Sequence, residues 1–343
     1  MGVNVFGIEI PYIRQGDDIK SEVIKALRPY KDTMSNNSVV GITESVVARA
    51  QGNYVTVDKI AEEIKRVMGN PEIITIYNCI YSRNRFAMIL KAIAKAAARR
   101  VRIYMPYKDE VGNVGHGHPF TKMNYVEYYR SIVEAQGKDC VILCWPPEIS
   151  NLDEDTIYCG LHDYETIKKS FPNLFTLADF FKDKCKYGLL GSNKANEATI
   201  KLFPNSVLGQ ELCNDIKTAI KNEFNLDIVV CLYGDGCFKD PVGGIWEFAD
   251  PVTMPAYTDA ELIESTPNEL KLKYFLDSGF SNDEVSRLIK ENKEDLKGNM
   301  RSQGTTPRLY RDLLASLMDL TSGSGDRGTP VVLINNYFKN DKN

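Results

Sequence analysis

The sequence predicts a mixed α/β fold in two parts, with a parallel-sheet unit inserted into a second α/β domain. Three observations predict it. Between about residues 72 and 146 the chain runs strand, helix, strand, helix, strand, the rhythm of parallel strands joined by crossover helices. From Pro146 to about Lys186 the pattern breaks into acidic, turn-rich pieces such as NLDEDT and HDYET. A second alternation of apolar and helical runs begins near Gly188. The expected division is 1–70 with 186–343 as one domain and 71–185 as the insertion.

Each element has its own signature. Gly16-Asp17-Asp18 reads as a turn and helix N-cap ahead of IKSEVIKAL, because an Asp side chain accepts from the first free backbone N–H groups. SVVGITES is a short apolar strand ending in polar groups. In VDKIAEEIKRVMG, residues Ile60, Ile64, Val67 and Met68 recur at helical spacing on one face. Asp58 is its candidate cap and Gly69 its candidate stop. EIITIYNCIY is β-rich, NRFAMILKAIAKAAARR is a strong helix, and VRIYMPY is a strand. YVEYYRSIVEAQG is helical and CVILCW is the strand after it, which completes a Rossmann-like unit. In the second block ATIKLFP precedes the helix LGQELCNDIKTAIKNEF and the strand LDIVVCLYGDG. The stretch from Ala256 to Gly298 is polar and helical, and TSGSGDRGTPVVLI brings a glycine-rich loop and a last strand.

Bulk properties narrow the function. Hydrophobic residues at 43% and charged ones at 26% describe an ordinary globular composition. A net charge of −4 leaves no basic excess to neutralise a nucleic-acid backbone, so no nucleic-acid partner is expected. No basic-then-apolar leader opens the chain, and no run approaches 18 apolar residues, so a cytoplasmic protein without a membrane span is expected. The eight cysteines are scattered without a C-x-x-C pair, several within apolar runs, as reduced buried thiols are.

Ligands of α/β folds gather where strands end and loops begin. Four loops of that kind carry polar groups. IPYIRQGDDI precedes the first helix. ITESVVARAQGN places Thr43, Glu44 and Ser45 at a strand end with Arg49 and Gln51 soon after, either facing a cleft or forming a solvated loop. A cation such as Arg49 suits a triphosphate. YSRNRF sets Ser82, Arg83, Asn84 and Arg85 between a strand and a helix N-terminus, either an anion site, since backbone N–H groups there favour anions, or simply two exposed surface arginines. LYGDGCFKDPVGG holds Asp235 between Gly234 and Gly236, either a holder of a divalent ion near phosphates or a plain Asp-Gly turn. SGSGDRGTP offers a comparable loop, although G-x-x-x-x-G-K-[ST] is absent. His116 and His118 flank Gly117, a pair suited to binding a substrate or to an ordinary loop; further zinc ligands are not evident. No G-x-S-x-G or other nucleophilic triad is present.

These motifs resemble a known family. GDDI followed by VVGITESVVARAQGN looks like the paired motifs that open the coenzyme F420-0:L-glutamate ligases, whose second motif reads T-S-K-V-V-S-K-A-E-G. GSNKANEATIKLFP, then a helix and LDIVVCLYGDG, is similar to that family's N-A-G-x-D-x-S-N, L-L-P and V-V-I-S-D-T series. The resemblance covers roughly residues 5–58 and 186–335; SRNRF, DEVGN and HPFT look like features of a bacterial subgroup with an inserted region. It implies a gamma-glutamyl ligase-like fold, a homodimer, a guanine nucleotide (with ATP as the alternative) and Mg or Mn. It implies a reaction in which L-glutamate is joined to a carboxylate acceptor through an acyl phosphate.

Carried over by position, Pro11, Tyr12, Ile13, Glu44, Ser45, Arg49 and Asn193 would border the nucleotide, with Gly323, Gly325, Arg327 and Gly328 in its glycine loop. Asp235 and Asp326 would hold metal. Asp235, Arg49, Arg83 and Arg85 would serve the transfer, and Ser82, Asn84, His116 and His118 the substrate. The family's aspartate falls on Leu190, and the threonine after the metal aspartate is Gly236. Two alternatives follow: a nucleotide-binding protein that kept the fold and lost catalysis, or a different nucleotide-dependent enzyme using the inserted region.

Overall fold

The computed structural model describes residues 2–110, 112–117, 122–153, 155–161, 163–234, 237–239, 246–248, 254–259, 262, 264, 269–291, 309–322 and 328–338. Two sheets of five strands and smaller ones organise these residues.

The first large sheet runs β1 (Asn4–Ile8), β15 (Val331–Asn335), β2 (Val39–Thr43), β11 (Val229–Tyr233) and β14 (Ala256–Tyr257), in that order. Only β2 and β11 pair in parallel; the other neighbours are antiparallel. Its central strands are apolar on both faces, so they need cover on both. Val40, Ile42, Leu232 and Leu333 turn toward α1 (Ile19–Leu27) and α7 (Ser206–Phe224). Val39, Cys231, Tyr233 and Val332 turn the other way, toward Leu314 and Met318 of α10 (Tyr310–Ser322). The expected cap is present: Asp18 accepts from the Ser21 N–H at 3.2 Å and starts α1.

The second large sheet is wholly parallel, in the order β6 (Asp139–Leu143), β5 (Arg100–Tyr104), β4 (Ile73–Tyr77), β7 (Thr156–Tyr158) and β8 (Phe175–Thr176). The chain starts in the middle and winds outward both ways, which is the doubly wound arrangement expected of a Rossmann-like unit. Sequence reasoning found β4, β5 and β6. It missed β7 and β8, whose three and two residues are too few to show an alternation. α4 (Arg85–Ala96) is buried almost all round, as its apolar composition requires. α5 (Tyr125–Glu134) packs beside it.

α3 (Val57–Met68) lies against α4 and sends Ile60, Ile64 and Met68 into the parallel sheet's core. Burying each isoleucine contributes roughly 1.5–3 kcal/mol. Val67 is only partly buried. Gly69 ends the helix in the left-handed region at φ 74°, as expected. The cap is Thr56 rather than Asp58: its hydroxyl accepts from the Lys59 N–H at 3.3 Å, while Asp58 pairs with Lys95 at 2.6 Å. Thr56 is the last extended residue, so its side chain alone is placed to cap.

A small antiparallel sheet of β3 (Tyr54–Thr56), β10 (Thr199–Leu202) and β9 (Ser192–Asn196) completes the site's surroundings. The polar stretch after Ala256 holds α8 (Glu269–Asp277) and α9 (Asn282–Glu291), as expected. No helix among the described residues is long and apolar enough to cross a membrane.

Candidate functional site

A cavity of about 470 Å³ opens at the end of β2. The sheet register explains its place. β2 and its parallel neighbour β11 end side by side, Thr43 opposite Tyr233. Thr43 turns the chain: its hydroxyl accepts from the Ser45 N–H at 3.4 Å and starts α2 (Glu44–Ala50). Its own N–H donates to the Pro330 carbonyl at 2.9 Å, which draws residues 328–330 against the helix start. α2 then shows Ser45, Val46 and Arg49 to the cavity while Val47 and Ala48 enter the core.

The loop after β1 forms the opposite wall. Ile13 is buried and anchors it in the core. Gly16, at φ 87°, donates its N–H to the Ala50 carbonyl at 2.9 Å, and Asp17 accepts from the Arg14 N–H at 2.6 Å. The loop is therefore tied at its end, and Tyr12 is left 71% exposed at the mouth. The Arg49 guanidinium lies 4.7 Å from the Tyr12 ring centroid. A cation over an aromatic face is worth about 0.5–1 kcal/mol at such an exposed site, enough to bias both side chains toward the opening.

The floor comes from the small sheet. Lys201 of β10 and Asn193 of β9 are direct cross-strand partners, and both line the cavity. Lys201 is almost fully buried; its ammonium donates to the Ser45 hydroxyl and lies 3.6 Å from a Glu44 carboxylate oxygen. Glu44 is 1% exposed, behind the wall. A buried ammonium needs such a counter-charge, and the pair fixes a positive head group at the cavity surface. Asp319 and Ser322, from the last turn of α10, complete the lining.

Seven sequence candidates therefore converge on one cavity: Pro11, Tyr12, Ile13, Ser45, Arg49, Asn193 and Gly328. Glu44 sits behind it. Asp235, Gly323, Gly325, Asp326, Arg327 and His118 lie outside the described residues. Leu190 is fully buried in the apolar core, where no donor for a metal stands in its place. Lys201 and Asp319 were missed by sequence reasoning. The local pattern carried no signal for Lys201: Ile200 and Leu202 share the strand face opposite to it, so alternation alone reads the lysine as solvent-facing.

The YSRNRF candidates do not join this group. Ser82, Arg83, Asn84, Arg85 and His116 belong to the carboxyl-end loops of the parallel sheet, and none lines the cavity. Ser82 is buried; its N–H donates to the Tyr129 hydroxyl at 2.9 Å and its hydroxyl accepts from the Asn84 N–H at 3.1 Å. Arg85 turns inward and donates to the Leu190 carbonyl at 2.7 Å. Its charge is spent on the interior, not offered to solvent. Arg85→Met should lower unfolding free energy by about 1–3 kcal/mol, because the Leu190 carbonyl loses its donor. Urea unfolding of the variant checks this.

Among the described residues no group of three His, Cys, Asp or Glu side chains assembles as a metal site. Asp319 is the one carboxylate among the described residues that line the cavity.

Comparison with known proteins adds two findings. The model of the family described as "F420-0:Gamma-glutamyl ligase" matches residues 7–336. A curated relative, "Coenzyme F420:L-glutamate ligase" of Methanothermobacter thermautotrophicus, is 31% identical over 61 residues. That alignment takes in 18% of this chain and 24% of the relative, so the chain is aligned with about a quarter of the relative's length.

Proposed function

The chain belongs to the F420-0:gamma-glutamyl ligase family, and on that premise we propose that it is a ligase forming a γ-linked amide between L-glutamate and a carboxylate acceptor. A nucleoside triphosphate, GTP or ATP, would be consumed at the cavity at the end of β2. One observation carries this reading: Arg49 and Lys201, two cations from different elements, border one cavity with Asn193 and the Tyr12 ring.

The chemistry divides into two steps. The acceptor carboxylate attacks the γ-phosphorus, and the nucleoside diphosphate leaves. The glutamate amine then attacks the acyl phosphate carbon, phosphate leaves, and the amine gives up a proton. Positioning and charge neutralisation are the protein's share of such a transfer. Lys201, steadied by Glu44 and Ser45, and Arg49 would neutralise phosphate oxygens. Tyr12 would pack against the base, and Asn193 would hydrogen-bond the nucleotide.

Magnesium or manganese would accompany the triphosphate and shield its charge. The described wall supplies Asp319 as a carboxylate donor, with Asp235 and Asp326 as the candidates implied by resemblance. One carboxylate does not make a metal site by itself, so no step is assigned to the ion. A homodimer, a cytoplasmic location and service of the deazaflavin itself are further proposals of the same reading.

The test is product formation. Purified protein with GTP or ATP, magnesium or manganese, L-glutamate and a panel of carboxylic acids should release phosphate and yield an adduct heavier by one glutamyl residue. Nucleotide binding without phosphate release across the panel would favour the second reading, a binding protein that kept the fold. Leu190, apolar and buried, is the observation behind that alternative.

A further inference from the structure

We propose that Cys144, paired with His116, is a reactive thiol that exchanges with small-molecule disulfides at the carboxyl edge of the parallel sheet. The pair is independent of the cavity described above.

The two side chains come from different connections. Cys144 follows the last residue of β6, and His116 lies in the long connection from β5 to α5. His116 Nε2 is 2.9 Å from Cys144 Sγ. The fold builds this approach. The Asp109 carboxylate accepts from the Tyr81 N–H at 3.0 Å and from the Asn113 N–H at 2.8 Å, pinning the turn to the loop after β4. Gly115 then passes against the Tyr81 ring, where a Cβ would stand 2.9 Å from the ring carbon Cζ. The Tyr125 N–H donates to the Gly115 carbonyl at 3.0 Å and holds the other side. His116 is thereby set over the thiol.

Cys144 is more accessible than five of the other described cysteines and shares its half-burial with Cys140. Cys79, Cys159, Cys185, Cys213 and Cys231 are buried. Burial pushes the Cys213 thiol up to about 12, and desolvation pushes Cys140, within β6, up to about 11. Such thiols are poor nucleophiles at neutral pH. Cys144 is half-buried, its partner His116 is exposed, and the next residue, Trp145, is 91% exposed. A thiol within reach of an imidazole at an open edge is the arrangement of an activated nucleophile. The exposed indole offers an apolar surface beside it.

The exchange balances within the pair. His116 takes the thiol proton, and the Cys144 thiolate attacks one sulfur of the disulfide. A Cys144–sulfur bond forms, the original sulfur–sulfur bond breaks, and the departing thiolate recovers the proton from His116. No net oxidation occurs beyond what the disulfide supplies.

A base within hydrogen-bond reach of the thiol takes its proton as the sulfur–sulfur bond is attacked, which raises the exchange rate. The probe is an aromatic disulfide that releases a coloured thiolate, mixed with the intact protein at pH 7. One equivalent should appear in a fast phase, and peptide mass mapping should place the label on Cys144. Cys144→Ser should remove the phase. His116→Ala should slow it roughly tenfold, and added imidazole should restore part of the rate, which a merely structural histidine would not allow. Circular dichroism confirms that each variant is folded. A fast phase mapping to another cysteine, or an unchanged rate in His116→Ala, overturns the proposal.

Discussion

Replacing Lys201 with methionine is expected to weaken nucleotide binding about 100-fold and to destabilise the fold by about 3–5 kcal/mol. The two effects have separate causes. The ammonium borders the cavity, so its loss removes a cation from the phosphate site. Glu44 is 1% exposed and lies 3.6 Å from that ammonium, so the variant removes a cation from beside a buried carboxylate. Adding Glu44→Gln removes that buried negative charge. The double variant should regain much of the stability and none of the binding. Urea unfolding and nucleotide titration of both variants separate the terms. If binding returned together with stability, Lys201 would serve the fold alone.

Gly188→Ala is the second large effect, about 2–5 kcal/mol of stability. Gly188 sits at φ 53°, a region that suits glycine, and an added Cβ would lie 2.3 Å from the Phe180 carbonyl oxygen. The Ala178 and Leu177 carbonyls would be 2.8 Å away. These are backbone atoms that cannot swing aside. Gly188 opens the turn Gly188–Leu190 that leads into β9 and so to Asn193 on the cavity floor. The variant should lose thermal stability and some nucleotide affinity together. Gly137→Ala is the control: it has φ 70° but open space around it, and should cost only about 1 kcal/mol. Melting curves of the two variants give the comparison, and equal losses would refute the steric account.

The fold was legible wherever a local period was long enough. Val39–Thr43, Ile73–Tyr77 and Val57–Met68 were visible because several apolar residues recur at one spacing. β7 and β8 were not, being too short to carry a period. α2 also escaped, since ESVVARA following a strand without a break reads as its polar end. In the site, Arg49 was reached from its place just after a strand end, and Tyr12 and Asn193 through motif resemblance. Lys201 was hidden because a lysine in a short strand reads locally as solvent-facing. Its burial depends on Glu44 and Ser45, more than 150 residues earlier in the chain. Arg85 shows the same dependence: an arginine at a helix start suggests an anion site, and in the fold its guanidinium donates to the carbonyl of Leu190. Local pattern gives the chemistry a side chain carries, and long-range packing decides which way it points.

The central claim is that the cavity at the end of β2 takes a nucleoside triphosphate. Equilibrium dialysis of GTP and of ATP, each with magnesium, against the folded wild-type chain and the Lys201→Met/Glu44→Gln variant tests it most directly. Saturable binding of one nucleotide per chain in the wild type, lost in the variant, is the expected result. No saturable binding of either nucleotide to the wild type, or equal binding to both proteins, would contradict it.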